Sequence, residues 1–172
     1  GVFGPGIDAA FEASPEPELF YYSGPVTSPC GTLGAEAWGW FCGAGGTPET
    51  ETTGIYLNVD TLHEGPAMLT THVLLHEYSH YLQWRTRNLV AQQLWPEDGI
   101  TTMKRSESQV ECLGGLLSGR ISGAGYTRDD YRWWVEYYAE MGEVAGYGTG
   151  AERWAWIWAG YNAGEASMCN TW

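Results

Sequence analysis

Two histidines four positions apart, His76 and His80, enclose Glu77 and are the residues of this chain best suited to chemistry. On a helix, residues at this spacing lie on one face about a turn apart, so both imidazoles can reach one metal ion. Glu77 is offset from that line, where a carboxylate can act on a metal-activated water without itself binding the metal. The pattern predicts a zinc site with Glu77 as general base. The alternative is a pair of core histidines held by hydrogen bonds.

Apolar residues at helical spacing surround this motif and predict a buried helix over about 65–85, beginning near Pro66. A second helix is predicted over 104–117, where apolar side chains recur three and four positions apart. That spacing places Glu107 and Glu111 one turn apart on a shared face. Two carboxylates so placed repel each other unless a positive charge lies nearby.

A catalytic zinc ion takes three protein ligands and leaves a fourth position to water. The candidates for the third ligand are His63, His72 and the acidic residues that follow the motif. Three successive turns of a straight helix converge poorly on one tetrahedral ion, so His72 is expected at the surface or beside the ligands, and His63 in an exposed loop. Glu107 fits best, and Glu111 can then accept a hydrogen bond from the second nitrogen of His76. For Glu107, a solvated helix face is the alternative.

Composition indicates one folded domain, residues 1–172, because hydrophobic residues make up 44% and charged residues only 17%. The net charge of −13 excludes the clustered positive charge that nucleic acid binding requires. The chain has 10 Trp and 11 Tyr, which suit both a core and a cleft for peptide or sugar. No apolar run is long enough to span a membrane, and we expect a monomer.

The four cysteines lack the spacing of a structural zinc site and predict two disulfides in an exported, processed protein. A chain that starts at Gly1 without methionine is consistent with removal of a leader. We therefore expect a secreted protein.

The positions of proline and glycine and the spacing of apolar residues predict the remaining elements. We expect an extended N-terminal segment over 1–29 with a helical turn at 8–11, a Trp-rich loop over 30–42, a strand over 54–60, a loop over 94–99, helices over 129–141 and 150–163, and a glycine-rich loop between them over 142–150.

Five segments in the same order resemble the bacterial neutral zinc metallopeptidases, which follow their zinc-binding helix with a Glu-Leu-Gln-Ala-Asp-Cys-Leu-Ala-Gly signature. They are the sequences LHEYSHYLQ (75–83) and ESQVECLGG (107–115), the region 30–42 between its two cysteines, the strand IYL (55–57), and the ending GYNAG (160–164) followed by CNTW (169–172).

The resemblance implies an α+β, mostly helical, minimal gluzincin-like fold of the zincin class, with a small β-sheet, an active-site helix and a downstream ligand helix. It implies one catalytic zinc ion bound by His76, His80 and Glu107. Glu111 stands where the family has Asp, a departure that adds a methylene group to the side chain expected to accept the hydrogen bond from His76. The resemblance also implies disulfides that pair Cys30 with Cys42 and Cys112 with Cys169.

Two further roles follow from the same resemblance. Tyr147 lies in a loop where the family carries His, and its hydroxyl can stabilise the oxyanion of the transition state by hydrogen bonding. In many zinc peptidases the strand before the zinc helix lines the cleft and pairs with substrate, which would make Tyr56 and Asn58 substrate-binding residues. An ordinary core strand is the alternative.

These expectations describe an exported zinc endopeptidase that acts on proteins or peptides. Two other functions stay open. One is a non-catalytic binding module whose fold the metal ion stabilises. The other is a zinc amidase that acts on cell-wall links, with Trp38 and Trp40 forming a carbohydrate-binding surface.

Overall fold

Helices and three small sheets make up the computed structural model, which describes residues 16–44, 52–86, 99–120, 128–140, 142–144 and 146–170 and confirms the α+β class. In chain order the elements are β1 (Glu18–Tyr22), β2 (Val26–Ser28), β3 (Gly31–Leu33), β4 (Gly39–Ala44), β5 (Thr52–Asn58), α1 (Val59–His63), α2 (Ala67–Arg85), α3 (Gly99–Arg120), α4 (Arg128–Glu140), β6 (Glu143–Val144), β7 (Gly148–Thr149), α5 (Gly150–Tyr161) and a 3₁₀ turn (Ala166–Cys169).

β5 is the middle strand of the largest described sheet, whose order is β1-β5-β4. β1 runs parallel to it and β4 antiparallel. Its residues from Gly54 onward are all buried, as expected for a strand covered on both faces. The predicted strand over 54–60 stops at Asn58, because the Asn58 side chain accepts a hydrogen bond from the Asp60 N–H and caps α1.

The N-terminal part contains more regular structure than its proline and glycine residues predict. β1 and β2 lie within the segment expected to be extended. β2 forms a hairpin with β3, which lies inside the expected loop over 30–42. The disulfide Cys30–Cys42 joins this hairpin to β4, as the resemblance implies. The predicted helical turn at 8–11, and the part of the predicted 94–99 loop that precedes Gly99, lie outside the described residues.

The two helices that carry the predicted metal ligands, α2 and α3, lie side by side. α2 packs against β4, β5 and α3, and α3 packs most extensively against α5. The disulfide Cys112–Cys169 ties the middle of α3 to the 3₁₀ turn, again as the resemblance implies. Helix α3 begins at Gly99 and so takes in the residue expected to end the preceding loop, while α4 and α5 match the predicted helices to within one or two residues.

The contact between α3 and α5 requires a residue without a side chain at Gly160. A Cβ atom there would overlap the carbonyl group of Cys112 on α3. The two main chains therefore touch, and this close approach sets how α5 lies beside the helix that carries Glu107.

Gly160→Ala should destabilise the protein by about 1–3 kcal/mol, because backbone atoms on α3 must move to admit the methyl group. Gly164→Ala is the matched control, since no atom lies within 4 Å of a Cβ at that position. Thermal unfolding of both variants checks the prediction. Equal stabilities would show that the helices separate without cost.

Candidate metal centre

Helix α2 carries both motif histidines on the side that faces α3. Its N-cap residue is Pro66, as the sequence predicts, and its core-facing residues include Leu69, Val73 and Leu82. His76 is buried and His80 nearly so, with their ring centroids 5.0 Å apart. The helical spacing therefore brings the two rings together at a buried position.

Glu107 on α3 completes a group of three possible ligands. Its Oε2 atom lies 3.3 Å from His76 Nε2 and 3.5 Å from His80 Nε2. Two donor atoms that each bind one ion at about 2.0–2.2 Å in tetrahedral geometry lie roughly 3.3–3.5 Å apart. The same oxygen is buried and has no hydrogen-bond partner among the described residues. The three side chains can thus hold a metal ion, and they fit zinc in donor type and spacing.

The pKa values around this group show a strong preference for positive charge between the side chains. Burial alone would lower the pKa of His76, but the carboxylates of Glu107 and Glu111 raise it well above its ordinary value. Burial would also raise the pKa of Glu107, yet the neighbouring His80 and His76 hold it far below its usual range. Because Glu107 stays ionised, it offers a metal ion a charged ligand.

The second nitrogen of each histidine also has a polar neighbour. His80 Nδ1 lies 3.1 Å from Gln83 Oε1, and the Gln83 amide donates to the main-chain oxygen of Ser106 and to the side-chain oxygen of Gln109. His76 Nδ1 lies 3.8 Å from Glu111 Oε2. The latter distance is longer than a hydrogen bond, so the expected Glu111 contact is present as a near neighbour only.

A second group of possible ligands, formed by His72, His76 and Glu111, shares one histidine with the first. Its third ligand is already neutralised, because Arg153 Nε and Nη2 both donate to Glu111 Oε1. His72 Nε2 is also engaged, lying 2.7 Å from the hydroxyl of Tyr138. A cation placed here would have to displace the tyrosine contact and sit near a guanidinium. The His76–His80–Glu107 group is therefore the better metal site.

His72 thus lies beside the ligands and not at the surface, one of the two places its spacing allows. Burial lowers its pKa to about 4, against the opposing effect of Glu111, so it is neutral near pH 7. His63, the other histidine considered, is exposed at the end of α1.

Glu77 is buried next to the His76–His80–Glu107 group and lies close to β4, one of the two outer strands of the three-stranded sheet. Burial raises its pKa above the ordinary value, with Glu107 adding to the shift and the histidines and the Phe41 N–H opposing it. A Cβ on Gly39 would lie 2.6 Å from Val73 Cγ1 and 3.3 Å from Glu77 Oε1. Glycine at this position of β4 therefore avoids an overlap with Val73 and a tight contact with the Glu77 side chain.

A cleft of about 440 Å³ opens beside these residues. His76 and Glu77 form part of its wall, and Tyr147 lies in the wall as well. Tyr147 has no hydrogen bond from its hydroxyl to any described residue. Burial, and then the negative charges of Glu107 and Glu77, raise its pKa, so the hydroxyl keeps its proton. The cleft is also lined by Glu36, Trp38, Trp40, Val144 and Arg153.

Tyr56 and Asn58 do not line this cleft, which corrects the expected role of β5. Both edges of that strand are paired, so it has no free edge for a peptide. Tyr56 stacks on Phe20 with ring centroids 4.7 Å apart, and the wholly buried Asn58 donates to the main-chain oxygen of Ala35. Within the three-stranded sheet, β4 is the strand that borders the cleft, through Gly39 and Trp40.

Sequence reasoning missed Gln83, Tyr138 and Arg153 as members of the site. The position of Gln83, three residues after His80, is a local signal that could have identified it. Arg153 and Tyr138 are far from the motif in the chain, and only the packing of α4 and α5 brings them to Glu111.

The chain matches no protein-family model, no curated protein and no solved structure. Among the described residues, no helix combines the length and apolar character that a bilayer span requires. Assignment of function therefore depends on the geometry of the site.

Substitutions should separate the two possible ligand groups. Glu107→Ala removes a charged ligand and should abolish stoichiometric zinc binding, while His72→Gln should leave a single zinc ion bound. Equilibrium dialysis with metal analysis measures both. Full zinc occupancy in Glu107→Ala, or its loss in His72→Gln, would move the metal to the His72–His76–Glu111 group.

Proposed function

We propose that this protein is a zinc-dependent endopeptidase with a gluzincin-like fold. The observation that carries the proposal is the position of Glu107 Oε2, which is buried and accepts no hydrogen bond from the part of the chain that the structure describes. This oxygen lies at ligand spacing from both His76 Nε2 and His80 Nε2. Glu77 lies beside this group at the wall of an open cleft. The resemblance to bacterial neutral zinc metallopeptidases supports the same assignment.

His76, His80 and Glu107 would hold the zinc ion, which would acidify a water molecule and polarise the carbonyl group of the peptide bond. Glu77 accepts the proton of that water as it attacks, and later passes the proton to the leaving amine. An isolated structural metal site would have no use for such a buried carboxylate.

Tyr147 is the proposed donor to the oxyanion. Its hydroxyl keeps its proton, and its ring lies at the cleft wall close enough to Glu107 and Glu77 for both charges to raise its pKa. A donor at that position stabilises negative charge that develops on the carbonyl oxygen of the substrate.

Strand β4 is the proposed partner for an extended peptide. The Asn58 N–H donates to the Trp38 carbonyl, so residues 38 and 40 bond to β5 while the main-chain groups of Gly39 and Phe41 point away from it. Burial raises the pKa of Glu77 and the Phe41 main chain opposes this rise, so the outer edge of β4 lies close to that carboxylate. A peptide that pairs with the outer edge at Gly39 is thereby brought next to the general base.

The two disulfides fit an oxidising compartment, so we place the enzyme outside the cytoplasm, as a secreted protein.

A zinc amidase acting on cell-wall links is the second candidate, favoured by Trp38 and the 42% exposed Trp40 in the cleft. Digestion of unfolded protein and of purified peptidoglycan, each with and without a chelator, separates the two functions. A chain that cleaves neither while binding zinc would be a binding module.

Glu77→Gln should keep one zinc ion and lose at least roughly 100-fold in kcat, because the amide cannot accept the proton. The measurement is hydrolysis of a quenched fluorescent peptide, with metal content determined on the same sample. Glu64→Gln, an exposed site at the end of α1, is the control for the change in net charge. Activity equal to that of the control would refute the general-base role.

Tyr147→Phe should lower kcat by roughly 100-fold with little change in KM, since the hydroxyl acts on charge that develops in the transition state. Steady-state kinetics on the same peptide test this. A rise in KM at constant kcat would instead place Tyr147 in ground-state substrate binding.

A further inference from the structure

Arg153, in the first turn of α5, contacts several parts of the site and takes no part in the chemistry proposed above. Its Nε and Nη2 atoms donate to Glu111 Oε1 at 2.9 and 2.5 Å. Nη2 also donates to the Tyr138 hydroxyl at 3.4 Å. The side chain is 11% exposed, and that of Glu111 only 1%. This is a buried ion pair of fixed geometry.

The same guanidinium lies against two aromatic rings. Its central carbon is 4.5 Å from the ring centroid of Tyr138 and 5.1 Å from that of Tyr147. These distances are within the range of cation–π attraction. Because the Tyr147 hydroxyl bonds to no described residue, the position of its oxygen depends on how the ring is held.

We propose that Arg153 is a positioning residue that acts on the site in two directions. Through Glu111 it holds a negative charge 3.8 Å from Nδ1 of His76, and this electrostatic attraction favours the ring orientation in which Nε2 faces the metal position. Through its contact with Tyr147 it fixes the hydroxyl at the cleft wall. The second effect rests on the proposed function, and the first does not.

Lysine cannot replace arginine in this arrangement. A single ammonium group can keep the positive charge beside Glu111. It cannot also present a flat face to two aromatic rings and direct two N–H groups at one carboxylate oxygen. Arg153→Lys therefore keeps the buried carboxylate paired while it removes the positioning geometry. Arg153→Met would leave Glu111 buried without a partner, which is destabilising for reasons unrelated to positioning.

Zinc affinity tests the first effect without reference to hydrolysis. Arg153→Lys and Glu111→Gln should each weaken zinc binding by roughly 10- to 100-fold, and the double variant should be no weaker than the worse single variant. The visible spectrum of the cobalt-substituted protein should change in both single variants. The matched control is Arg132→Lys, an exposed position on α4, which should leave affinity and spectrum unaltered.

A double-mutant cycle on kcat tests the second effect. Arg153→Lys should lower kcat by at least 10-fold in the wild-type chain but by less than about 3-fold in the Tyr147→Phe variant, because the hydroxyl being positioned is already gone. Equal losses of kcat in both backgrounds would overturn the effect through Tyr147. Unchanged zinc affinity in the first experiment would overturn the effect through Glu111. If Arg153→Lys does not fold, Arg153→Met combined with Glu111→Gln removes both buried charges and carries the same comparisons.

The two experiments also distinguish this proposal from the proposed function. A zinc-loaded wild-type chain that cleaves no peptide would remove the peptidase assignment and with it the effect through Tyr147. Zinc affinity would still decide the effect through Glu111.

Discussion

The Glu107 carboxylate, buried against two imidazoles, is the constraint on which the rest of the structure depends. Removing an ionised carboxylate from water is costly unless a positive charge compensates it. Two protons on the histidines or one divalent ion can provide that compensation. The distances to both Nε2 atoms equal those between ligands that share one ion, so a bound metal ion would account for the arrangement more simply.

The surrounding fold can be understood as a frame for this carboxylate. α2 and α3 each supply one half of the ligand set, and the disulfide Cys112–Cys169 together with the close approach at Gly160 holds α3 against the C-terminal part of the chain. A second buried carboxylate, Glu111, is compensated separately by Arg153. The two acidic residues on one helix face, which would repel each other in water, thus have different partners: Arg153 pairs with Glu111, and His76 and His80 lie against Glu107.

Helix positions and the grouping of His76, His80 and Glu107 could be predicted because their signals are local. Four-residue spacing decides which side chains share a helix face, and the chemistry of zinc then selects Glu107 over His63 and His72. Strand order could not be predicted in this way. Alternation identifies a strand at β5 but does not reveal that β1 and β4 cover both of its edges, so Tyr56 and Asn58 were assigned to a cleft that β4 borders. The contacts of Arg153 and Tyr138 depend on packing between distant segments and leave no local pattern.

The most direct test of the central claim is anomalous X-ray diffraction at the zinc absorption edge on crystals of the zinc-loaded chain. The account predicts one strong peak at roughly 2.0–2.2 Å from His76 Nε2, His80 Nε2 and Glu107 Oε2, with a side open to the cleft. A peak bounded by His72, Glu111 and the other nitrogen of His76, or a fourth protein ligand closing the open side, would contradict it.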